Sequence, residues 1–350
     1  MATKKLLLPK NFDELLEKGD LDVLKAVFDT CEVDARGGYS KETAIAFDLC
    51  PDALVRWLVL EKGADLQAPD QRGTTPLHTR VGSRRSSIDV LLELGAKVND
   101  ASAPIGTPLH AAAQAHNSKN LRKLLAHGAD VHVVNSARNT PLQQALETCS
   151  NIDIVEMVAI AEALLAAGAE KDERAEERVT AIGERFEFHR QGFNAEYLEE
   201  YSSALDRLYV LFGVPPVPRR IQYDGKSPMV LPPGDWPQQH EALWQLLVPS
   251  KGAAATAQGE AIRISGRLAN EWMGNGGINW DADFKKMAKA LVELLGSGSP
   301  LPEADLAEAQ AIVADISERE DDVQRLSQLA VTWVGQNSAP IKQGNPAYKR

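Results

Sequence analysis

Several things are in short supply in this 350-residue chain, and each shortage excludes something. Cysteine occurs three times, at Cys31, Cys50 and Cys149, with no C-x-x-C pair and an odd count. That excludes a disulfide scaffold and fits a reducing compartment, so the expected location is cytoplasmic. Basic charge is in deficit, 38 Lys and Arg against 49 Asp and Glu, and the net charge of −11 repels phosphate backbones and anionic lipid. Long apolar runs are missing as well. Leu6-Leu7-Leu8 is too short for a signal-peptide core, and no stretch approaches the length of a membrane span. Neither nucleic acid nor membrane is an expected partner. Chemistry-bearing motifs are equally absent: no H-E-x-x-H, no Cys/His cluster and no G-x-S-x-G elbow, so no metal, no cofactor and no catalytic residue is predicted.

What is present has the composition of a soluble globular protein, 44% hydrophobic and 25% charged, which argues against disorder. At about 150 residues per domain the length allows two or three domains. The organisation comes from an internal repeat. Thr75-Pro76-Leu77-His78 recurs as Thr107-Pro108-Leu109-His110 and as Thr140-Pro141-Leu142-Gln143, with degenerate forms at Thr43-Ala44-Ile45 and Thr180-Ala181-Ile182; the threonines are 32, 32, 33 and 40 apart. A second mark drifts with the first: Gly63-Ala64-Asp65, Gly95-Ala96-Lys97, Gly128-Ala129-Asp130 and Gly168-Ala169-Glu170.

Local physics explains both marks. Threonine suits an N-cap, and proline fits the first helical turn, where its missing N–H has no intrahelical partner to lose. A second apolar pattern, such as Leu121, Leu124 and Leu125, follows at helical spacing and stops at glycine, which accepts a left-handed C-cap. Each unit therefore reads as helix, turn, helix, glycine stop and extended loop.

With these residues the sequence resembles the ankyrin-repeat family. Asp70 to His78 carries that family's hairpin-to-helix signature, and Thr107 to Ala113 its T-P-L-H-x-A-A run. The likeness extends over about residues 10–214 and is strongest over 40–170. It departs from the family where Lys41, Ile105, Arg138 and Arg178 stand at the hairpin glycine, and where Arg80 and Val81 replace small alanines. The resemblance implies that His78 and His110 bridge neighbouring repeats. It also accounts for the shortage of aromatics, because stacked helix pairs rely on Ala, Leu and Gly. Phe12–Lys18 and Leu21–Phe28 read as an N-terminal helical cap, and Thr180–Gln191 with Ala195–Phe212 as a last, irregular pair.

Seven prolines between 215 and 237 forbid helix and mark a boundary or an ordered strap. There, Asp224-Gly225-Lys226-Ser227 matches only the end of a P-loop, since Arg220 stands where the first glycine is required. Helices are predicted beyond it at 238–248, 255–273, 281–295, 303–317 and 318–335. The predicted fold is thus all-α: an ankyrin-repeat solenoid over 1–213, a Pro-rich linker over 214–237, an α-helical domain over 238–335, and a flexible tail over 336–350.

The expected function is binding to another protein. The concave face implied by the resemblance places Thr79, Ser83, Gln114, Gln144 and Glu147 on inner helices, and Gln71, Arg72, Ile105 and Arg138 on loop tips. Arg80, Arg84 and Arg85 form a basic cluster that either meets an acidic patch or is a solvated turn. In the C-terminal part Arg263, Arg267 and Glu271, with Glu260, share a helical face, as an arginine pair gripping an acid or as an ordinary salt-bridge face. The whole is similar to bacterial ankyrin proteins, some of which are immunity proteins that neutralise a cognate toxin, and the charge of −11 suits a basic partner. A host-directed effector or assembly adaptor is the alternative, as is an enzyme with its site around Arg263, Arg267 and Glu271.

Overall fold

Each T-P-L threonine stands at a helix start in the computed structural model, which describes residues 3–314, 316, 320–344 and 346–349. Thr75, Thr107 and Thr140 are the extended N-caps of α4 (Pro76–Gly82), α6 (Pro108–Gln114) and α8 (Pro141–Thr148), each with proline in the first turn and a reciprocal capping box. The partner helices are α5 (Asp89–Glu93), α7 (Ser118–Ala126) and α9 (Ile154–Ala166). Leu77, Leu91, Leu109, Leu121, Leu142 and Ile160 are buried between successive pairs, so the apolar stripe of one unit is covered by its neighbour. The stop residues Gly63, Gly95, Gly128 and Gly168 all take positive φ, as the repeat marks predict.

The chain divides into two compact units, Met1–Phe186 with Asn194–Val217, and Glu187–Phe193 with Pro218–Arg350. The first begins with β1 (Lys5–Leu7) and the helix pair α1 (Phe12–Lys18) and α2 (Leu21–Thr30). Three short strands were not expected here: β1 pairs in parallel with β2 (Cys31–Gly37), which pairs antiparallel with β3 (Glu42–Thr43). Thr43 lacks a following proline, and only a 3₁₀ turn, Ala44–Ala46, replaces the inner helix before α3 (Asp52–Arg56).

The last pair also differs from expectation. Helix α10 runs Glu173–His189, seven residues earlier than Thr180, because Asp172 caps it by accepting the Ala175 N–H at 2.9 Å. Thr180 lies inside the helix and donates to Glu176 O at 3.1 Å. Helix α11 (Ala195–Phe212) ends at Gly213 as predicted.

The second unit holds α12 (Trp236–Leu247), α13 (Ala257–Ala269), α14 (Ala282–Leu295), α15 (Glu303–Ala314) and α16 (Glu320–Gln336). Its core joins Leu243, Ile264, Leu268, Met287, Leu291, Leu326 and Trp333. Helix α13 packs against α12, α14 and α16, which buries residues on all its sides. Residues 218–237 are tied to this unit: Met229 N donates to Ser338 O at 2.7 Å, and Arg220 donates to Phe188 O and Trp244 O, both at 3.2 Å, capping the carbonyl end of α12. Within the segment predicted as a flexible tail, Asn337 and Tyr348 are buried, and the Tyr348 hydroxyl donates to Glu260 at 2.6 Å.

Candidate interaction surface

In each T-P-L unit the side chain at the third helical position bridges to the next unit. His78 sits at the third position of α4 with Nδ1 accepting the Thr75 N–H at 3.3 Å, and its Nε2 donates to Gly106 O of the next unit at 2.9 Å. His110 does the same with Thr107 N at 3.1 Å and Asn139 O at 3.0 Å. In the third unit Gln143 takes over: Oε1 accepts Thr140 N at 2.9 Å and Nε2 donates to Asp172 at 2.5 Å. An amide reproduces the acceptor and donor ends of a neutral imidazole, so the histidine bridge implied by the resemblance is present and continues without histidine. Burial pushes both imidazoles below their ordinary range, with Gly106 O and Asn139 O pulling the other way.

The loop tips are linked in the same manner. Gln71 N donates to Ser40 O at 3.0 Å, and Ser136 donates to Pro104 O through N at 3.2 Å and Oγ at 2.8 Å. Each tip is shaped by an acceptor five residues before the capping threonine: Asp70 accepts Arg72 N and Thr74 N, and Asn135 accepts Ala137 N and Asn139 N. Ser102 holds that place in the intervening unit, and there the turn shifts by one residue, so Gly106 rather than Ile105 takes positive φ. A Cβ on Gly106 would lie 2.7 Å from His110 Nδ1, which ties that glycine to the register bridge.

The structure leaves many of the sequence candidates exposed. Gln71, Arg72, Arg138, Gln114 and Glu147 are exposed, while Thr79, Ser83 and Ile105 are half-buried. Two do not qualify. Gln144 is buried, accepting from Asn135 Nδ2 at 2.8 Å and donating to Gln114 at 3.3 Å, so it orders the row rather than presenting itself. Arg80 is 2% exposed, with Nη2 3.4 Å from Cys50 O and 3.9 Å from Asp52. Only Arg84 and Arg85 of the basic cluster are exposed, and Arg84 shares a polar pocket of about 210 Å³ with Lys119. Sequence reading missed Tyr39: 85% exposed, it stands at the first tip with the Arg72 guanidinium 5.9 Å from its ring and Gln71 Nε2 donating to its carbonyl at 3.1 Å. It sits two residues before the degenerate hairpin position Lys41, which offered the only signal.

The family model described as ankyrin repeats (many copies) matches residues 109–159. The chain carries ankyrin repeats. An ankyrin repeat protein of fowlpox virus is 40% identical over 81 residues, 21% of this chain and 16% of the relative, so the match spans about a sixth of that protein's length. The crystal structure of an ankyrin repeat domain from Acinetobacter baumannii is 21% identical, covers 58% of this chain and 98% of its own, and superposes with a TM-score of 0.41.

One ankyrin departure gives a direct test. Arg138 holds the hairpin-glycine position at φ 61°, in the left-handed region where a Cβ costs about 1–2 kcal/mol. Arg138→Gly is expected to raise stability by about 0.5–1 kcal/mol in urea unfolding, since glycine relieves that strain and loses some of the gain to chain entropy.

Outside the ankyrin repeats, the Arg263, Arg267 and Glu271 candidate does not form an open acid-gripping site. Arg263 is buried and donates from Nε and Nη2 to Glu260 at 2.9 and 2.7 Å. Glu271 is buried and accepts from Asn279 N at 2.6 Å and from Asn275 and Asn279 side chains at 3.1 and 3.2 Å, closing the glycine-rich turn. Arg267 is half-buried. All three cysteines are buried thiols, and burial pushes Cys50 and Cys149 up to about 12, which keeps them protonated. Among the described residues no helix is long and apolar enough to cross a membrane.

Proposed function

We propose that this chain binds another protein through the loop tips and inner helices of its ankyrin repeats. The observation that carries the reading is the tip cluster of Tyr39, Gln71 and Arg72, exposed yet fixed by hydrogen bonds to the neighbouring unit. Tyrosine and arginine are the residue types that dominate interface energetics, and a preformed tip loses little entropy on binding. Gln114, Glu147 and Arg138 are exposed as well and complete the proposed surface. In its specific form the proposal is an immunity protein whose partner is a toxin with a basic surface, supported by the net charge of −11 and by the resemblance to bacterial ankyrin proteins that do this.

The test is capture from the native source with the tagged chain beside a Tyr39→Ala, Arg72→Glu double variant of equal thermal stability. A partner retained by the first and lost by at least tenfold with the second supports the surface; equal retention overturns it. For the immunity form, co-expression with the captured partner should restore growth where that partner alone is toxic. A non-toxic partner overturns that form and leaves the adaptor reading.

A further inference from the structure

Independently of the repeats, the second unit contains an open cleft of about 620 Å³, within the size range of small-molecule sites. Its walls come from three helices. Trp236, His240 and Trp244 are spaced four apart along one face of α12; Gly266, Arg267 and Met273 come from α13 and the turn after it; Gln324 and Ser327 come from α16. Gly266 is required by the aromatic wall, because a Cβ there would lie 2.5 Å from the Trp244 ring. The indole can therefore approach the backbone of α13 closely.

That ring belongs to a stack. The Arg220 guanidinium lies 4.2 Å from the Phe188 centroid, Phe188 is stacked on Trp244 at 6.3 Å and 16°, and Trp244 on His240 at 6.4 Å and 27°. His240 is fixed at the cleft end because its Nε2 donates to Ser265 Oγ at 2.9 Å, while the buried Ser265 hydroxyl donates to Ile262 O at 3.1 Å. Burial favours the neutral imidazole. Glu241 and Arg267 bring one charge of each sign to the lining, so the site favours no net charge on its occupant. Asn270, Gln324 and Ser327 supply hydrogen-bonding edges.

We propose that this cleft binds a neutral planar aromatic ring, which would extend the Phe188–Trp244–His240 stack. Stacked rings gain from offset face contact beyond the area they bury, which a saturated ring of similar size lacks. The ring has two sources, a free small molecule or an aromatic side chain on a partner.

Calorimetric titration of the full chain with indole, cyclohexanol and N-acetyl-tryptophanamide tests this. Indole is expected to bind at least tenfold more tightly than cyclohexanol. Gln324→Trp, which fills the cleft from a half-buried position, should weaken indole at least tenfold without shifting the thermal midpoint; Met273→Trp at the exposed rim serves if the first variant does not fold. Tighter binding of the amide than of indole assigns the ring to a partner chain, and the reverse to a free molecule; both support the site. Equal affinity for indole and cyclohexanol, no indole binding, or binding unchanged by the folded filling variant overturns it.

Discussion

Glu260→Ala is expected to destabilise the second unit by about 3–5 kcal/mol, the range seen when one partner of a buried ion pair is removed. Against a total of about 5–15 kcal/mol that is enough to unfold a marginal unit. The Glu260 carboxylate is fully buried and accepts four donors: Arg263 Nε and Nη2, the Tyr348 hydroxyl at 2.6 Å and Ala254 N at 2.8 Å. Burial alone would raise its pKa, yet the bonds from Arg263, Tyr348 and Ala254 hold it below the ordinary 4.5. Truncation leaves the Arg263 guanidinium in the core with no counter-charge. Five of the six tryptophans lie between 236 and 333, so tryptophan fluorescence in urea reads this unit.

Two companion variants separate charge from packing. Glu260→Met with Arg263→Met should recover most of the loss, because no lone charge stays buried. Tyr348→Phe should cost about 1.5–3 kcal/mol for one hydroxyl bond to a charged acceptor. A null result there would mean that Tyr348 does not dock against Glu260. The pH dependence has a definite sign. A carboxylate with a depressed folded pKa gives stability that is complete above about 4.5 and is lost as pH falls through the folded value, so Glu260→Gln should flatten the acid limb.

This pair also shows how far sequence carries. The spacing of Glu260 and Arg263 announced an ion pair, and the structure contains it. What the spacing could not show is depth: α13 is wrapped by α12, α14 and α16, which turns a surface pattern into a core one. Arg80 misled for the same reason, being basic in sequence and buried in space. The repeat was legible because its signals are local, a capping threonine, a proline after it and a glycine stop. The pairing of β1 with β2 and the docking of Tyr348 depend on partners tens of residues away, and no local pattern encodes them. On the candidate surface the exposed tips were placed from the repeat frame, whereas Tyr39 escaped because its unit had lost that frame.

The second large effect is expected at the register bridge. His110→Ala removes the acceptor for Thr107 N and the donor to Asn139 O, both in buried surroundings, at about 1–3 kcal/mol for each group left unpaired. A total near 3 kcal/mol is predicted, read by helical circular dichroism in urea. Because a repeat stack holds together through nearest-neighbour contacts, the loss falls on one interface, and the transition should broaden as the units on either side unfold separately. His110→Gln should stay within about 1 kcal/mol of the parent, since Gln143 already makes the same two-ended bridge one unit later. The imidazoles of His78 and His110 have folded pKa values below the ordinary 6.5, with burial the larger cause, so their contribution is complete above about 6.5 and is lost as pH falls through the folded values. A doubly protonated ring would point an N–H at the Thr107 N–H, leaving the capping Thr107 hydroxyl, 2.9 Å away, as its one acceptor and giving up the bond to Thr107 N. His78→Gln with His110→Gln should therefore match the parent near neutral pH and surpass it below pH 6. Equal acid sensitivity in the two proteins, or equal stability of His110→Ala and His110→Gln, would show that the bridge does not hold the register.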